Sequence, residues 1–182
     1  MVDIDKCIAS YEKHKQLFAA ADELGMKWQS LYVELKKAGV SVTGDKSRWG
    51  STKDKLAAIG EGIFSRYVPM AIDNNLQSFQ SEIDFSIGGI GVDVKTALPR
   101  RADKKFKNLR WAFSLSKQIE FADFYVLMAL GEDRSLKSCF LIPGDMINKL
   151  STVSIPTSGK SKWNKFEVAP EDLADFFDAL NS

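Results

Sequence analysis

Between Ser81 and Ala97 the chain reads SEIDFSIGGIGVDVKTA, two runs of alternating polar and apolar residues separated by Gly88-Gly89. A Gly-Gly pair between such runs marks a two-residue β-hairpin turn. With that turn in place the register follows by counting. Ile87 faces Ile90, Phe85 faces Val92 and Ile83 faces Val94, all on one face that must be core. On the other face Ser86 meets Gly91, Asp84 meets Asp93 and Glu82 meets Lys95. A one-residue slip would carry a whole strand's side chains to the opposite face, so this stretch constrains the sheet around it.

The Asp84–Asp93 pair sets this hairpin apart from a purely structural one. Directly opposed strand residues have Cβ atoms about 4.5–5.5 Å apart, and like charges there repel. A cation between the carboxylates turns the repulsion into a binding site, and hard oxygen ligands suit Mg²⁺ or Mn²⁺. Lys95 projects to the same face two residues after Asp93, since strand side chains alternate. Carboxylates with an ammonium on one strand face suit metal-assisted phosphodiester hydrolysis. The structural alternative is an ordinary Glu82–Lys95 ion pair, with both aspartates solvated on a longer turn.

Asp84 followed by Asp93-Val94-Lys95 on the next strand resembles the PD-(D/E)XK nuclease superfamily, over roughly Leu56 to Ala129. The resemblance implies a restriction-endonuclease-like fold. It makes Asp84 and Asp93 metal ligands, the Val94 carbonyl a further ligand and Lys95 the catalytic lysine. Many members carry a glutamate on the helix before the first strand, and Glu61 in AAIGEGIF fits that place. Ile83 stands where the family name has proline. A polar residue after the third strand is also common in the family, which Lys117 or Gln118 would supply.

The chain has 182 residues and a formal charge of +1, so any nucleic-acid contact must come from local basic clusters. His14 is the one histidine, which disfavours histidine-dependent nuclease chemistry. Cys7 and Cys139 are isolated and form neither a disulfide framework nor a zinc pattern. No run is long enough to span a bilayer. The N-terminus lacks a secretory pattern, which points to the cytoplasm by default.

Helical spacing with Leu17, Ala20, Ala21 and Leu24, a break at Gly25, and resumption with Trp28, Leu31 and Leu35 up to Gly39 predicts two helices. AADELGMKWQSLYVELKKAGV resembles a helix-turn-helix unit through Ala21, Leu24, Gly25, Met26, Leu31, Leu35, Gly39 and Val40. That resemblance implies that Lys27, Gln29 and Ser30, with Trp28, open a recognition helix, and that Lys36 and Lys37 lie near phosphates. A plain helical hairpin is the other reading. A polar connector with Lys46, Arg48 and Trp49 follows, either touching DNA or covering the core. Asp54 to Ala71 reads as a helix with Leu56, Ile59, Ile63 and Tyr67 on one stripe, ended by Pro69. Gly60 and Gly62 weaken it and would permit close approach by the sheet or a phosphate.

The most basic stretch, LPRRADKKFKNLR, directly follows Lys95. Arg100, Arg101, Lys104, Lys105 and Lys107, with Arg110, are its candidate phosphate contacts, which give affinity rather than sequence choice. Leu109 to Leu115 alternates as a third strand with Trp111 and Phe113 inward, and Ser116 to Phe121 reads as a short helix. Asp123 to Ala129 reads as a central buried strand, Ser138 to Ile142 as another, Pro143 to Leu150 as a helix start, and Pro170 to Leu180 as a structural helix. Trp163, flanked by lysines, either contacts DNA or covers the sheet.

The expected architecture is an α/β domain over 46–182, a restriction-endonuclease-like core with a central mixed β-sheet flanked by helices. A helical, helix-turn-helix-like region over 1–45 precedes it. The expected function is a Mg²⁺-dependent endonuclease, with Mn²⁺ substituting, acting on double-stranded DNA. A restriction-like or homing-type enzyme fits better than a Holliday-junction or repair nuclease, because the helical region offers base readout. An RNA-directed nuclease and a non-catalytic DNA-binding protein are the competing classes. Duplex cutting by one site per chain implies a homodimer, although the sequence displays no interface.

Overall fold

A computed structural model gives the positions of residues 3–14, 16–40, 42, 51–76, 81, 83–101, 103, 107–115, 122–147 and 149–182. The chain divides into two compact units, Met1–Lys55 with Asp73–Glu82, and Leu56–Ile72 with Ile83–Ser182.

The first unit holds α1 (Ile4–His14), α2 (Leu17–Glu23) and α3 (Trp28–Lys37). Their apolar stripes meet in a core of Cys7, Tyr11, Leu17, Ala20, Ala21, Leu31, Leu35 and Val42. The two helix stops expected at Gly25 and Gly39 are present. Beyond them Met26 N–H donates to the Ala21 carbonyl at 3.0 Å and Val40 N–H to that of Leu35 at 2.9 Å, the reversal that satisfies orphan carbonyls at a helix end. Glu23 ties α2 to α1: it accepts from Ser10 Oγ at 2.6 Å and from Lys13, and lies 2.9 Å from His14 Nε2.

The second unit is built on a six-stranded sheet in the order β1, β2, β3, β6, β7, β9. Its strands are β1 (Ile72–Asp73), β2 (Phe85–Ile87), β3 (Ile90–Ala97), β6 (Phe124–Leu130), β7 (Leu136–Pro143) and β9 (Glu167–Val168). It is mixed, as expected: β3 and β6 run parallel, while β2–β3, β6–β7 and β7–β9 are antiparallel. The Gly88-Gly89 turn has φ of 56° and 90°, the pair of positive values that a tight hairpin needs.

Strand alternation gives this sheet two buried faces. One carries Phe85, Ile87, Val92, Val94, Val126 and Met128, covered by Ile63 and Phe64 of α4 (Thr52–Tyr67) and by Leu173 and Phe177 of α5 (Leu173–Leu180). The Phe64 ring lies 4.8 Å from Phe85 and 6.3 Å edge-on from Phe177. Gly60 lets α4 settle on β3: a Cβ there would sit 1.9 Å from Thr96 Oγ1, whereas one at Gly62 would meet nothing within 4 Å. Of the two glycines, the first is therefore the close approach to the sheet.

The other face, with Ala97, Tyr125, Leu127, Ala129, Phe140 and Ile142, is covered by a second sheet, not a helix. That sheet has three strands in the order β4 (Pro99–Arg101), β5 (Leu109–Ser114), β8 (Thr152–Pro156). Here the structure corrects the sequence reading. The strand at Leu109 does turn Trp111 and Phe113 inward, but it belongs to this covering layer. Period-two patterning selects a face; it does not select a pairing partner. Trp111 Nε1–H donates to the Leu130 carbonyl at 2.7 Å and pins the layers together. Trp163 is buried in the same cluster, so it covers the sheet.

The helix expected from Pro143 is one short turn, Gly144–Met146. Gly144 N–H donates to the Asp123 carbonyl at 2.8 Å, which holds that turn against the start of β6. The readings at Lys46, Arg48 and Trp49 and at Ser116 to Phe121, including Lys117 and Gln118, lie outside the described residues. Among the described residues no helix is long and apolar enough to cross a membrane.

Candidate active site

The hairpin ladder runs Ile87↔Ile90, Ser86↔Gly91 and Phe85↔Val92, the register counted from the sequence, and stops there. Asp84 and Ile83 lie at a bend before β2 and do not continue it. In unbroken register Ile83 would bond Val94. Instead the Asp84 carboxylate takes that place: Val94 N–H donates to Asp84 Oδ2 at 2.9 Å. Ile83 also departs from its expected core face. A Cβ at Gly91 would lie 2.9 Å from Ile83 Cδ1, so the side chain covers the bare glycine. Gly91 N–H is taken by Asp123 Oδ2 at 2.7 Å. The physical reason is local. A carboxylate can satisfy a strand N–H as a carbonyl does, which frees the main chain at Asp84 to peel away.

This bend still brings Asp84 beside Asp93. Asp93 is 3% exposed. Burial first, then hydrogen bonding to Asp84 and the charge of Asp84, push its carboxyl up to about 7 against the pull of Lys95. Lys95 Nζ donates to Asp93 Oδ1 at 2.8 Å and lies 2.7 Å from Oδ2. Burial pulls the Lys95 ammonium down, but the charge and hydrogen bond of Asp93, with Asp84 behind it, hold it net above its ordinary value. Lys95 is therefore a charged donor. A strand residue's N–H and C=O point to the same edge, so the Val94 carbonyl faces the Asp84 side, beyond the last ladder pair.

Sequence reasoning missed Tyr125. It lies opposite Asp93 across the parallel β3–β6 pair, and burial, then the Asp93 charge, raises its phenol. No local signal marks it: the pairing of two strands separated by the whole β4–β5 excursion has to be known first.

Glu61 lies on α4, one residue past the close approach of Gly60 to Thr96. That helix packs on the face of Val92 and Val94, while Asp93 and Lys95 alternate to the other. Among the described residues no group of three or more His, Cys, Asp or Glu side chains is gathered to hold a metal ion. The carboxylate centre is thus the Asp84–Asp93 pair. Its donor set suits a hard divalent cation. Asp93 Oδ2 is buried, and the Lys95 ammonium already lies against it at 2.7 Å.

Of the candidate nucleic-acid contacts, Lys27 precedes α3, and Gln29 and Ser30 are exposed on its first turn. Phe18 packs 5.4 Å from Trp28 beside them. Arg100 and Arg101 are exposed on β4, and Lys107 is exposed just before β5. Lys104 and Lys105 lie outside the described residues.

No family model and no curated protein matches the chain. Among solved structures, it is similar to a bacterial homing endonuclease, I-Ssp6803I, at 18% identity and a TM-score of 0.49. The match covers 71% of this chain and 96% of that one. That likeness assigns no residue of this chain a role.

Proposed function

We propose that this protein is a metal-dependent DNA endonuclease of the PD-(D/E)XK type, with Asp84, Asp93 and Lys95 at its centre. The observation that carries the reading is the buried Asp93, pressed against a second carboxylate and a charged lysine. A fold gains nothing from such a pair. Opposed carboxylates and a buried acid both cost stability, and a polarised phosphodiester site explains why they stand together.

Asp84 and Asp93 would hold Mg²⁺, or Mn²⁺ in its place, with the Val94 carbonyl as a neutral ligand. Glu61, on the helix that covers the opposite face of the sheet, is given no part in holding the ion. The cation supplies Lewis acidity toward the scissile phosphate and lowers the pKa of water. Lys95, held charged, cannot serve as a base. It donates to the attacking water or a phosphate oxygen and offsets the negative charge that grows there. A water oxygen bonds phosphorus and gives up its proton to solvent, the P–O bond to one sugar breaks, and the departing oxygen takes a proton from solvent. The helix pair α2–α3, with Lys27, Gln29 and Ser30 at the head of α3, is assigned to duplex contact. That favours a restriction-like or homing-type enzyme.

The test is plasmid cleavage with Mg²⁺ or Mn²⁺, wild type beside Asp93→Ala and Lys95→Ala. Discrete fragments lost in both variants support the reading. Nicking or smearing that depends on both residues moves it to a repair or structure-directed nuclease. No cleavage of any nucleic acid with either metal removes it and leaves a binding protein.

A further inference from the structure

Away from the carboxylates, the outer face of the three-stranded sheet carries a groove of about 310 Å³ lined by Arg100, Arg101, Arg110, Ala112, Thr152 and Ser154. Its chemistry follows from register. Trp111, Phe113, Val153 and Ile155 point into the core, so Arg110, Ala112, Thr152 and Ser154 alternate outward. Arg100 is the direct cross-strand partner of Arg110. Two arginines so opposed repel, as two acids would.

Among the described residues nothing nearby neutralises them. No carboxylate lines the groove. Among the described residues none of the three arginines has an ion pair, while Arg110 donates from Nε to Ser154 Oγ at 2.8 Å and from Nη2 to the Ser154 carbonyl at 3.3 Å. These bonds fix the plane of the Arg110 guanidinium and leave further N–H donors directed away from Ser154. Small residues at 112, 152 and 154 keep the floor low, so a bulky anion can reach the donors.

We propose that this face grips backbone phosphates of duplex DNA, as an anchor separate from the cleavage centre. A rigid guanidinium fork with flanking hydroxyls is suited to bidentate phosphate binding. Covalent distance agrees: Arg100 follows Lys95 by five positions, at most about 17 Å of extended chain. That is about five base steps at 3.4 Å per step, within the length of a short duplex. The polymer's identity rests on the nuclease reading; the anion preference rests on the groove alone.

The experiment is fluorescence anisotropy with a labelled random-sequence duplex, in EDTA to prevent cleavage, across roughly 50 to 200 mM salt. It compares wild type, Arg100→Gln, Arg110→Gln, the double variant, and Arg66→Gln on α4 as a control outside the groove. Each lost phosphate contact should reduce the log–log salt slope by about 0.9. The double variant should therefore flatten the slope by about 1 to 2 and weaken binding more than tenfold, with the control unchanged. Relief of the opposed charges should leave thermal midpoints equal or higher, which excludes misfolding as the cause. Wild-type affinity and slope in the double variant overturn the proposal. Failure is separable from failure of the nuclease reading. A protein that cleaves nothing but shows arginine-dependent slopes keeps the anchor and loses the enzyme. One that cleaves with unchanged slopes does the reverse.

Discussion

The buried Asp93 makes the stability of this protein depend on pH in a direction opposite to most acid-sensitive folds. Its carboxyl stands at about 7 in the folded chain, against 3.8 for an unperturbed aspartate. Below 3.8 the folded and unfolded chains both carry the proton, and the group costs nothing. Between the two values the unfolded chain loses a proton that the native one keeps, so stability falls as pH rises. Above about 7 the native state must hold the anion and the full cost applies. At about 1.4 kcal/mol per pH unit the interval amounts to about 4 kcal/mol, an order-of-magnitude figure for a paired, buried acid. For a chain of this length that is roughly 10 °C in thermal midpoint.

The assay is denaturant unfolding in EDTA from pH 4 to 8.5, wild type beside Asp93→Asn. The difference between the two should grow against wild type by about 4 kcal/mol over that range. Asp84→Asn keeps an acceptor for Val94 N–H but removes the neighbouring charge. It should shift the loss to lower pH without abolishing it, since burial is the larger cause. Mg²⁺ at about ten times its Kd should return about 1.4 kcal/mol to wild type at pH 8, and none to Asp93→Asn. A pH profile parallel to that of Asp93→Asn would refute the reasoning, because the carboxyl would then be no harder to ionise folded than unfolded.

Gly60→Ala should destabilise by about 1–3 kcal/mol through overpacking on Thr96, and Thr96→Ala in the same chain should recover most of it in denaturant melts. Gly62→Ala, in open space on the same helix, should instead stabilise by up to about 1 kcal/mol. Phe177→Ala removes the fully buried ring by which α5 meets Phe64 and Phe124, and should cost about 3–5 kcal/mol in the same melts. Hydrogen bonds from Lys13, then Ser10, hold the Glu23 carboxyl down at about 2. Its contribution is present above the ordinary carboxylate range and lost as pH falls through about 2. The difference in thermal midpoint between wild type and Glu23→Gln should therefore be visible at pH 6 and vanish near pH 2.

Local chemistry was legible in the chain. Gly88-Gly89 between alternating runs determined the turn and three pairs of register. The helical spacing around Leu17 and Leu31 placed α2 and α3, and Gly25 and Gly39 marked their ends, because a short apolar period and a terminator act within a few residues. The same arithmetic put Asp93 and Lys95 on one strand face. It overran at Asp84 and Ile83, where a side chain replaced a backbone acceptor and the strand peeled off.

What lies between distant segments was decided only by tertiary structure. Alternation at Trp111 and Phe113 told which side faces in, not that β5 leaves the main sheet to pair with β4 and β8. From that pairing come the second buried face, the apposition of Arg100 and Arg110, and the partnership of Arg110 with Ser154. The parallel contact of β3 with β6 set Tyr125 against Asp93 and buried that acid. Burial of this kind is a property of both layers at once. A residue's own neighbours in sequence supply its charge and its face, whereas the desolvation that gives the charge its energy comes from segments far along the chain.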